Sequence, residues 1–309
     1  MPLYLTESEI AELLTPADAL GAIEGCFERL ARGAVENRRR ERLALEDGVF
    51  AVMAATDAEL GLAGVKTYTW LPAGTPFVVV LFDLERAEVA AVLEADKLGQ
   101  LRTGAASGVA ARQLAKADPR SLGVIGCGWQ AESQVACIRE ACPTIERVVA
   151  YCRNERRLDA FCQEVGAEAG ETHRDAGEQD VVATVTTSKD PVLRGEWLQP
   201  GALVCAVGAN EAGARELDNT VIERATFVCC DSRAQARRES GDLIEPVQQG
   251  LLDWLEVHEL QDVVAGELRG RESDDDIVVF KSNGIAAWDV AIAAAAIERA
   301  RERGVGRDL

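Results

Sequence analysis

Ser121-Leu-Gly-Val-Ile-Gly126-Cys-Gly128-Trp129-Gln130-Ala131-Glu-Ser-Gln134 decides the fold. An apolar run ends there in a Gly-x-Gly-x-x-Ala turn, and a helix-compatible segment follows to about Ala141. In a strand–turn–helix, the first glycine permits the tight turn and the second admits a pyrophosphate close to the backbone. The small third residue lets helix and strand pack tightly. The amides at the helix N-terminus then face the diphosphate. A plain βα turn would need the glycines for chain geometry alone. Arg147-Val-Val-Ala-Tyr-Cys152 reads as a second strand at the right distance, which favours a dinucleotide site.

Downstream, apolar runs at 181–185, 202–207 and 226–230 alternate with helical segments, the pattern of a parallel, doubly wound sheet. Ligands of such sheets sit beyond the carboxyl ends of the strands. The loops Thr184-Val-Thr186-Thr187-Ser188 and Gly208-Ala-Asn210-Glu-Ala-Gly213 are therefore expected to face the cofactor. After the second strand comes Arg153-Asn154 in place of the carboxylate that would bind a ribose 2′-hydroxyl. Arg153 can bind a 2′-phosphate through charge-assisted hydrogen bonds, so NADP(H) is expected in preference to NAD(H), with NAD(H) possible.

Upstream, residues 1–36 read as helical. Thr6 to Glu9 fits a capping box, and Thr15-Pro16 fits an N-cap followed by proline in the first turn. The segments 49–54, 63–70, 77–82 and 87–93 are β-rich with short turns between them, which suggests an antiparallel meander. Lys66 lies inside one of these strands, either on its solvated face or aimed at a bound anion. Asp96 can cap a helix running to about Lys116, with Arg102 near its N-terminus, where dipole and guanidinium both attract a carboxylate. Arg38-Arg-Arg40-Glu-Arg42 is a short basic cluster. Segment 267–276 reads as a solvated loop, and an alanine-rich helix runs to near Gly304.

With 309 residues the chain holds one large or two ordinary domains. A net charge of -19 disfavours nucleic acid as a partner, and no apolar run is long enough to cross a bilayer. The N-terminus lacks the basic and apolar regions of a signal peptide. Nine cysteines, an odd number without metal-ligand spacing, suggest reduced core residues in a cytoplasmic protein. His173 and His258 are the only histidines, both in charged surroundings and expected on the surface, so no metal site is expected.

Several segments together resemble the ornithine cyclodeaminase/mu-crystallin superfamily. They are Gly64-Val-Lys66-Thr, Leu101-Arg-Thr-Gly-Ala-Ala106, Gly126-Cys-Gly-Trp-Gln-Ala131, Pro200-Gly-Ala and Val207-Gly-Ala-Asn. Arg215-Glu-Leu-Asp218, Phe280-Lys-Ser-Asn-Gly-Ile-Ala286 and Asp289-Val complete the set. The resemblance implies an α+β substrate and dimerisation domain with antiparallel strands, residues 1–118 plus 284–309, and a Rossmann domain over 119–283. It also implies a homodimer joined through the β-rich portion, with catalysis in the cleft between domains.

By position, Arg40, Lys66 and Arg102 resemble the residues that hold a substrate carboxylate, with Ser282, Asn283 and Gly284 in the same substrate set. Lys66 and Asn210 form the implied catalytic pair. The cofactor set comprises Thr103, Gly126, Gly128, Trp129, Gln130, Ala131, Arg153, Asn154, Thr186, Thr187, Val207 and Gly208. Two departures bear on activity. Asn210 stands where cyclodeaminases carry a catalytic aspartate, and Ala51 stands where they carry another carboxylate. An amide cannot act as a base and attracts a cationic amine less. The expected function is therefore an NAD(P)H-dependent reductase or dehydrogenase of small α-imino or α-amino acids. The alternatives are ornithine cyclodeamination and a non-catalytic, NADPH-dependent ligand-binding protein. Trp70, Trp288 and Phe77 either line the substrate pocket or belong to the core.

Overall fold

The structure, a computed structural model, describes residues 1–309 as two compact units, residues 1–102 with 285–309, and residues 103–284. In chain order the first unit contains strand β1 (Leu3–Leu5), helices α1 (Glu7–Leu13) and α2 (Pro16–Ala31), and strand β2 (Val35–Asn37). Strands β3 (Glu41–Leu45), β4 (Gly48–Asp57), β5 (Leu62–Trp70), β6 (Phe77–Asp83) and β7 (Glu88–Glu94) follow. Helix α3 (Asp96–Leu114) contains the division between the units, at Arg102/Thr103. This lies upstream of residue 118, where the strand–helix alternation begins. The later half of α3 is tied to the second unit: a Cβ at Gly104 would lie 2.2 Å from the Ser133 carbonyl oxygen.

The second unit continues with β8 (Ser121–Ile125), α4 (Trp129–Ala141), β9 (Arg147–Tyr151), α5 (Glu155–Val165), β10 (Glu168–Ala169), α6 (His173–Gly177) and β11 (Val181–Thr184). Then come β12 (Leu203–Ala206), α7 (Asn219–Arg224), β13 (Phe227–Cys230), α8 (Arg233–Glu239), α9 (Gly241–Gln248), β14 (Val257–Glu259), α10 (Leu260–Val264) and β15 (Val278–Lys281). Helix α11 (Ala286–Arg303) and strand β16 (Arg307–Asp308) return the chain to the first unit.

In the first unit, β4 to β7 form the antiparallel meander that the turn spacing suggested. The sheet runs β16-β1-β7-β6-β5-β4-β2, with β3 paired to β4. The expected capping box of Thr6 with Glu9 is present, and Thr15 is the expected N-cap before Pro16, with Asp18 completing a second box. The helical reading of residues 1–36 needs correction at its ends, where Leu3–Leu5 and Val35–Asn37 are strands. Three residues are too few to show a period. Leu3–Leu5 is held by parallel pairing with β7, a partner far away in sequence. Helix α11 crosses the sheet closely because residue 64 has no side chain: a Cβ there would lie 2.7 Å from Val290 Cγ2. Trp288 of α11 is fully buried and meets Phe27 of α2 edge-on, with 5.5 Å between ring centres. Full burial of such a side chain contributes roughly 1.5–3 kcal/mol.

In the second unit all eight strands pair in parallel, in the order β10-β9-β8-β11-β12-β15-β13-β14. The chain winds outward from β8 through β9 and β10, then returns to β8's other side with β11. The switch point of this Rossmann-type sheet is thus between β8 and β11, where Ile125 pairs with Thr184. The strands are buried on both faces and read as continuous apolar runs for that reason.

All nine cysteines are free thiols, and all but the half-buried Cys152 are buried. The two histidines are not surface residues. Each is half-buried, His173 against the Tyr151 ring at 4.5 Å and His258 stacked on Phe227 at 4.8 Å. An imidazole gains by covering an aromatic face whatever charges flank it in sequence, and burial lowers the His173 pKa, with Arg153 adding to it. No helix is long and apolar enough to cross a membrane.

Candidate functional site

Each unit contributes one constellation. In the first unit, β5 carries Lys66 on its buried face, directly opposite Met53 of β4. Lys66 Nζ donates to Asp289 Oδ1 at 2.9 Å, and Arg102 Nε donates to the same oxygen at 3.3 Å. Arg40 Nε reaches Met53 Sδ at 3.4 Å, which brings the third cation alongside the same strand pair. Arg40, Lys66 and Arg102 are 6%, 3% and 8% exposed, far below what long cationic side chains ordinarily show. The solvated-face reading of Lys66 is excluded.

Local sequence makes this geometry possible. Glycine at 99 leaves room for the ammonium, since a Cβ there would lie 3.0 Å from Lys66 Nζ. The Phe77 ring lies 5.2 Å from the same nitrogen, and the Trp288 ring lies 5.8 Å from the Arg102 guanidinium carbon. Phe77 and Trp288 therefore touch the cluster, while Trp70 is exposed. Burial, with the charges of Arg102 and Arg40 adding to it, pushes the Lys66 ammonium down to about 8 against the pull of Asp289. Lys66 and Arg102 thus set two positive charges against one shared carboxylate oxygen. Nζ has three donors and spends one on Asp289. An arrangement of this kind can bind an anion, and a planar carboxylate suits its geometry.

In the second unit, β8 ends at Gly126, whose φ of +109° and closeness to β11 exclude a side chain. A Cβ there would lie 2.5 Å from the Val185 carbonyl oxygen. Gly128 is the N-cap of α4, with no side-chain cap bond, and a Cβ on it would meet nothing within 4 Å. The space over the first turn of α4 is open at that residue, as a diphosphate requires. Ala131 is fully buried and Trp129 is 47% exposed. The turn fits the dinucleotide expected from its spacing. Arg153 is exposed beyond β9, whereas Asn154 Oδ1 is committed to capping α5, accepting from Arg157 N at 3.0 Å.

Two buried carboxylates that sequence reasoning assigned no role hold the strand-end loops. Glu216 Oε1 accepts from Thr186 N at 2.6 Å. Its Oε2 accepts from Gly208 N at 2.7 Å, Ala209 N at 3.2 Å and Thr184 Oγ1 at 3.0 Å. Asp231, just after β13, accepts from Asn283 N at 2.7 Å, Gly284 N at 2.6 Å and Ser282 Oγ at 3.2 Å. Burial pushes both carboxyls up, and the donated amides pull them back. Lys281 Nζ donates to the Ala209 carbonyl at 2.6 Å and pairs with Asp242 Oδ2 at 2.9 Å, both side chains fully buried. Asp242 Oδ1 in turn accepts from Glu216 N and Leu217 N.

Thr186, Gly208 and half-buried Asn210 thus belong to one cross-linked pair of loops, and Ser282, Asn283 and Gly284 to a third. Thr187 and Val207 lie on the first two loops. Thr103, almost buried, opens the second unit's part of α3. Arg215-Glu-Leu-Asp218 had marked Glu216 as part of a motif, and an aspartate ending an apolar strand was the available signal for Asp231.

A parallel sheet with a glycine turn at its switch point in one unit, and an antiparallel sheet with a buried cationic cluster in the other, define a Rossmann-type, two-unit α/β protein. The chain belongs to the Ornithine cyclodeaminase/mu-crystallin family, whose profile it matches over residues 2–304. It is similar to the alanine dehydrogenase of Archaeoglobus fulgidus, with 33% identity over 99% of this chain and 98% of that one. It is 35% identical to a Delta(1)-pyrroline-2-carboxylate reductase of Bacillus cereus over 85% of each chain. Among solved structures, the Thermococcus litoralis Delta(1)-pyrroline-2-carboxylate reductase in complex with NADH and L-proline superposes with a TM-score of 0.93. That chain is 30% identical, with 99% of this chain and 100% of that one covered.

Proposed function

We propose that the protein is an NAD(P)H-dependent reductase of small α-imino acids, working in reverse as an amino-acid dehydrogenase. The observation that carries this reading is the buried pair Lys66 and Arg102 on one carboxylate oxygen, with donors left for a second carboxylate. Arg40 completes the anchor. When bound, the reduced nicotinamide supplies the hydride for a C=N carbon next to the substrate carboxylate. The chain's part is to hold that carboxylate and so orient the imine carbon, which can contribute up to about 7–11 kcal/mol. Lys66, held near neutrality, can also supply a proton, and Asn210 can hydrogen-bond the imine nitrogen or a water. Ser282, Asn283 and Gly284 complete the substrate side, and Thr103, Gly126 to Ala131, Thr186, Thr187, Val207 and Gly208 the cofactor side. Ala51 and Asn210 offer no carboxylate where ornithine cyclisation uses one. The relatives named above support the same reading.

The cofactor preference we propose is NADP(H), because exposed Arg153 follows β9 where a carboxylate would repel a 2′-phosphate. Absorbance at 340 nm tests both statements. NADPH and, separately, NADH are offered pyruvate with ammonia or methylamine, Δ1-pyrroline-2-carboxylate and Δ1-piperideine-2-carboxylate. Oxidation with at least one acceptor and a lower KM for NADPH are expected. A tenfold preference for NADH would overturn the cofactor assignment. Flat traces throughout, with ammonia released from L-ornithine, would replace the reductase by a cyclodeaminase.

A homodimer belongs to the same proposal. Strand β3 is exposed along its whole length, with Leu43 57% and Leu45 43% exposed, and Trp70 nearby in the sheet is 57% exposed. An apolar sheet edge of this kind favours pairing. Light scattering after size exclusion should give twice the 33.2 kDa chain mass; a monomer at micromolar concentration contradicts it.

A further inference from the structure

Asp289 is the one acidic residue on the buried stretch of α11 between Ala286 and Ala296, among alanines and Val290 and Ile292. An apolar residue would complete that core. Instead a carboxylate 1% exposed gives its Oδ1 to both Lys66 and Arg102, while its Oδ2 is buried without a hydrogen-bond partner. Leaving a buried acceptor bare costs stability. The packing of α11 does not call for that cost, and the two cations it arranges belong to the candidate anchor. We infer that Asp289 is a positioning residue, holding the Lys66 ammonium charged and fixed beside Arg102 so that both present donors to the substrate carboxylate. This rests on the reading above, in which Lys66 and Arg102 bind that carboxylate.

The charges around Lys66 come from every neighbouring element. Asp289 approaches from α11, Arg102 from α3, and Arg40 from the segment before β3, while β6 contributes the neutral Phe77 ring. Cys26 of α2, toward Asp289, stays a neutral thiol because burial pushes it up to about 12. Asp289 is thus the only group that favours the ammonium, and everything else opposes it. Removing its charge must move the Lys66 midpoint down.

The chain has five lysines, Lys66, Lys97, Lys116, Lys189 and Lys281, which makes direct observation practical. In full-length protein labelled with 13C-lysine, the signal missing from Lys66→Met identifies Lys66. Its NMR titration midpoint is expected near 8 in the wild type. In Asp289→Asn it should fall by about one to three pH units, and Asp289→Glu should restore most of it. The alkaline limb of kcat/KM should move the same way. An unmoved midpoint, or a loss of kcat/KM at every pH with its limb in place, overturns the inference. If Asp289→Asn does not fold, Asp289→Ser takes its place in the same titration. Normal turnover by Lys66→Met together with a shifted midpoint would instead sink the anchoring role of Lys66 and leave the pairing standing.

Discussion

Lys66→Met is expected to lower kcat/KM by about 10²-fold or more while dinucleotide affinity stays unchanged. The methionine keeps the length of the stem on β5, so packing against Phe77 and Gly99 survives. The ammonium that faces Asp289, and that in the proposed reading anchors the substrate carboxylate, is lost. Affinity for the dinucleotide, followed by quenching of tryptophan fluorescence, should not move, because Lys66 is not among the residues proposed to hold it. Turnover close to the wild type would remove Lys66 from the mechanism. The pH dependence has a definite sign. Lys66 loses its proton as pH rises through about 8, so kcat/KM should decline on the alkaline side from there. Its contribution to stability runs the opposite way. A lysine whose folded value is about 8 against an ordinary 10.5 opposes folding when protonated, and that opposition fades as pH climbs between the two.

Lys281→Met is expected to cost about 3–5 kcal/mol of folding stability, a loss readable from the urea midpoint. Lys281 and Asp242 are both completely buried at 2.9 Å. Removing the cation leaves the buried Asp242 carboxylate without its counter-charge and the Ala209 carbonyl without its donor. The damage extends outward, because Asp242 also holds the Glu216 and Leu217 amides, and Glu216 holds both loops at the ends of β11 and β12. Dinucleotide affinity should therefore weaken together with stability. A decrease below about 1 kcal/mol would mean that the ion pair's desolvation cancels its attraction.

The parts of this molecule that depend on local pattern were legible in the chain. The glycine turn, the apolar strands around it, the Thr6–Glu9 capping box and the Thr15 N-cap are each set by a few neighbouring residues. Lys66 and Arg102 could be nominated singly, as cations in places where cations are unusual. Asp289 stood in a quoted segment, but its pairing with them could not be read, since it lies 223 residues from Lys66 and reaches it only through the return of α11. Strand β3 was hidden within the alternation of arginine and glutamate beside Arg40, and β1 was too short to show a period. Glu216 stood in a quoted motif and Asp231 at the end of an apolar strand, but their role of satisfying backbone amides was not legible, because no side-chain pattern advertises it.

The thiols give the chain a liability that shows only when it opens. In the folded protein, burial pushes Cys26 and Cys205 up to about 12 and lifts Cys229 and Cys230 well above the ordinary range, so almost none of them exists as thiolate. Unfolding releases all nine at once, and an odd number cannot pair off within one molecule. In air, at least one sulfur per denatured chain is left to join another chain, so covalent oligomers are expected to compete with refolding. Heat inactivation is then expected to be a one-way process whose half-life lengthens with added reductant and whose apparent melting temperature rises with the rate of warming.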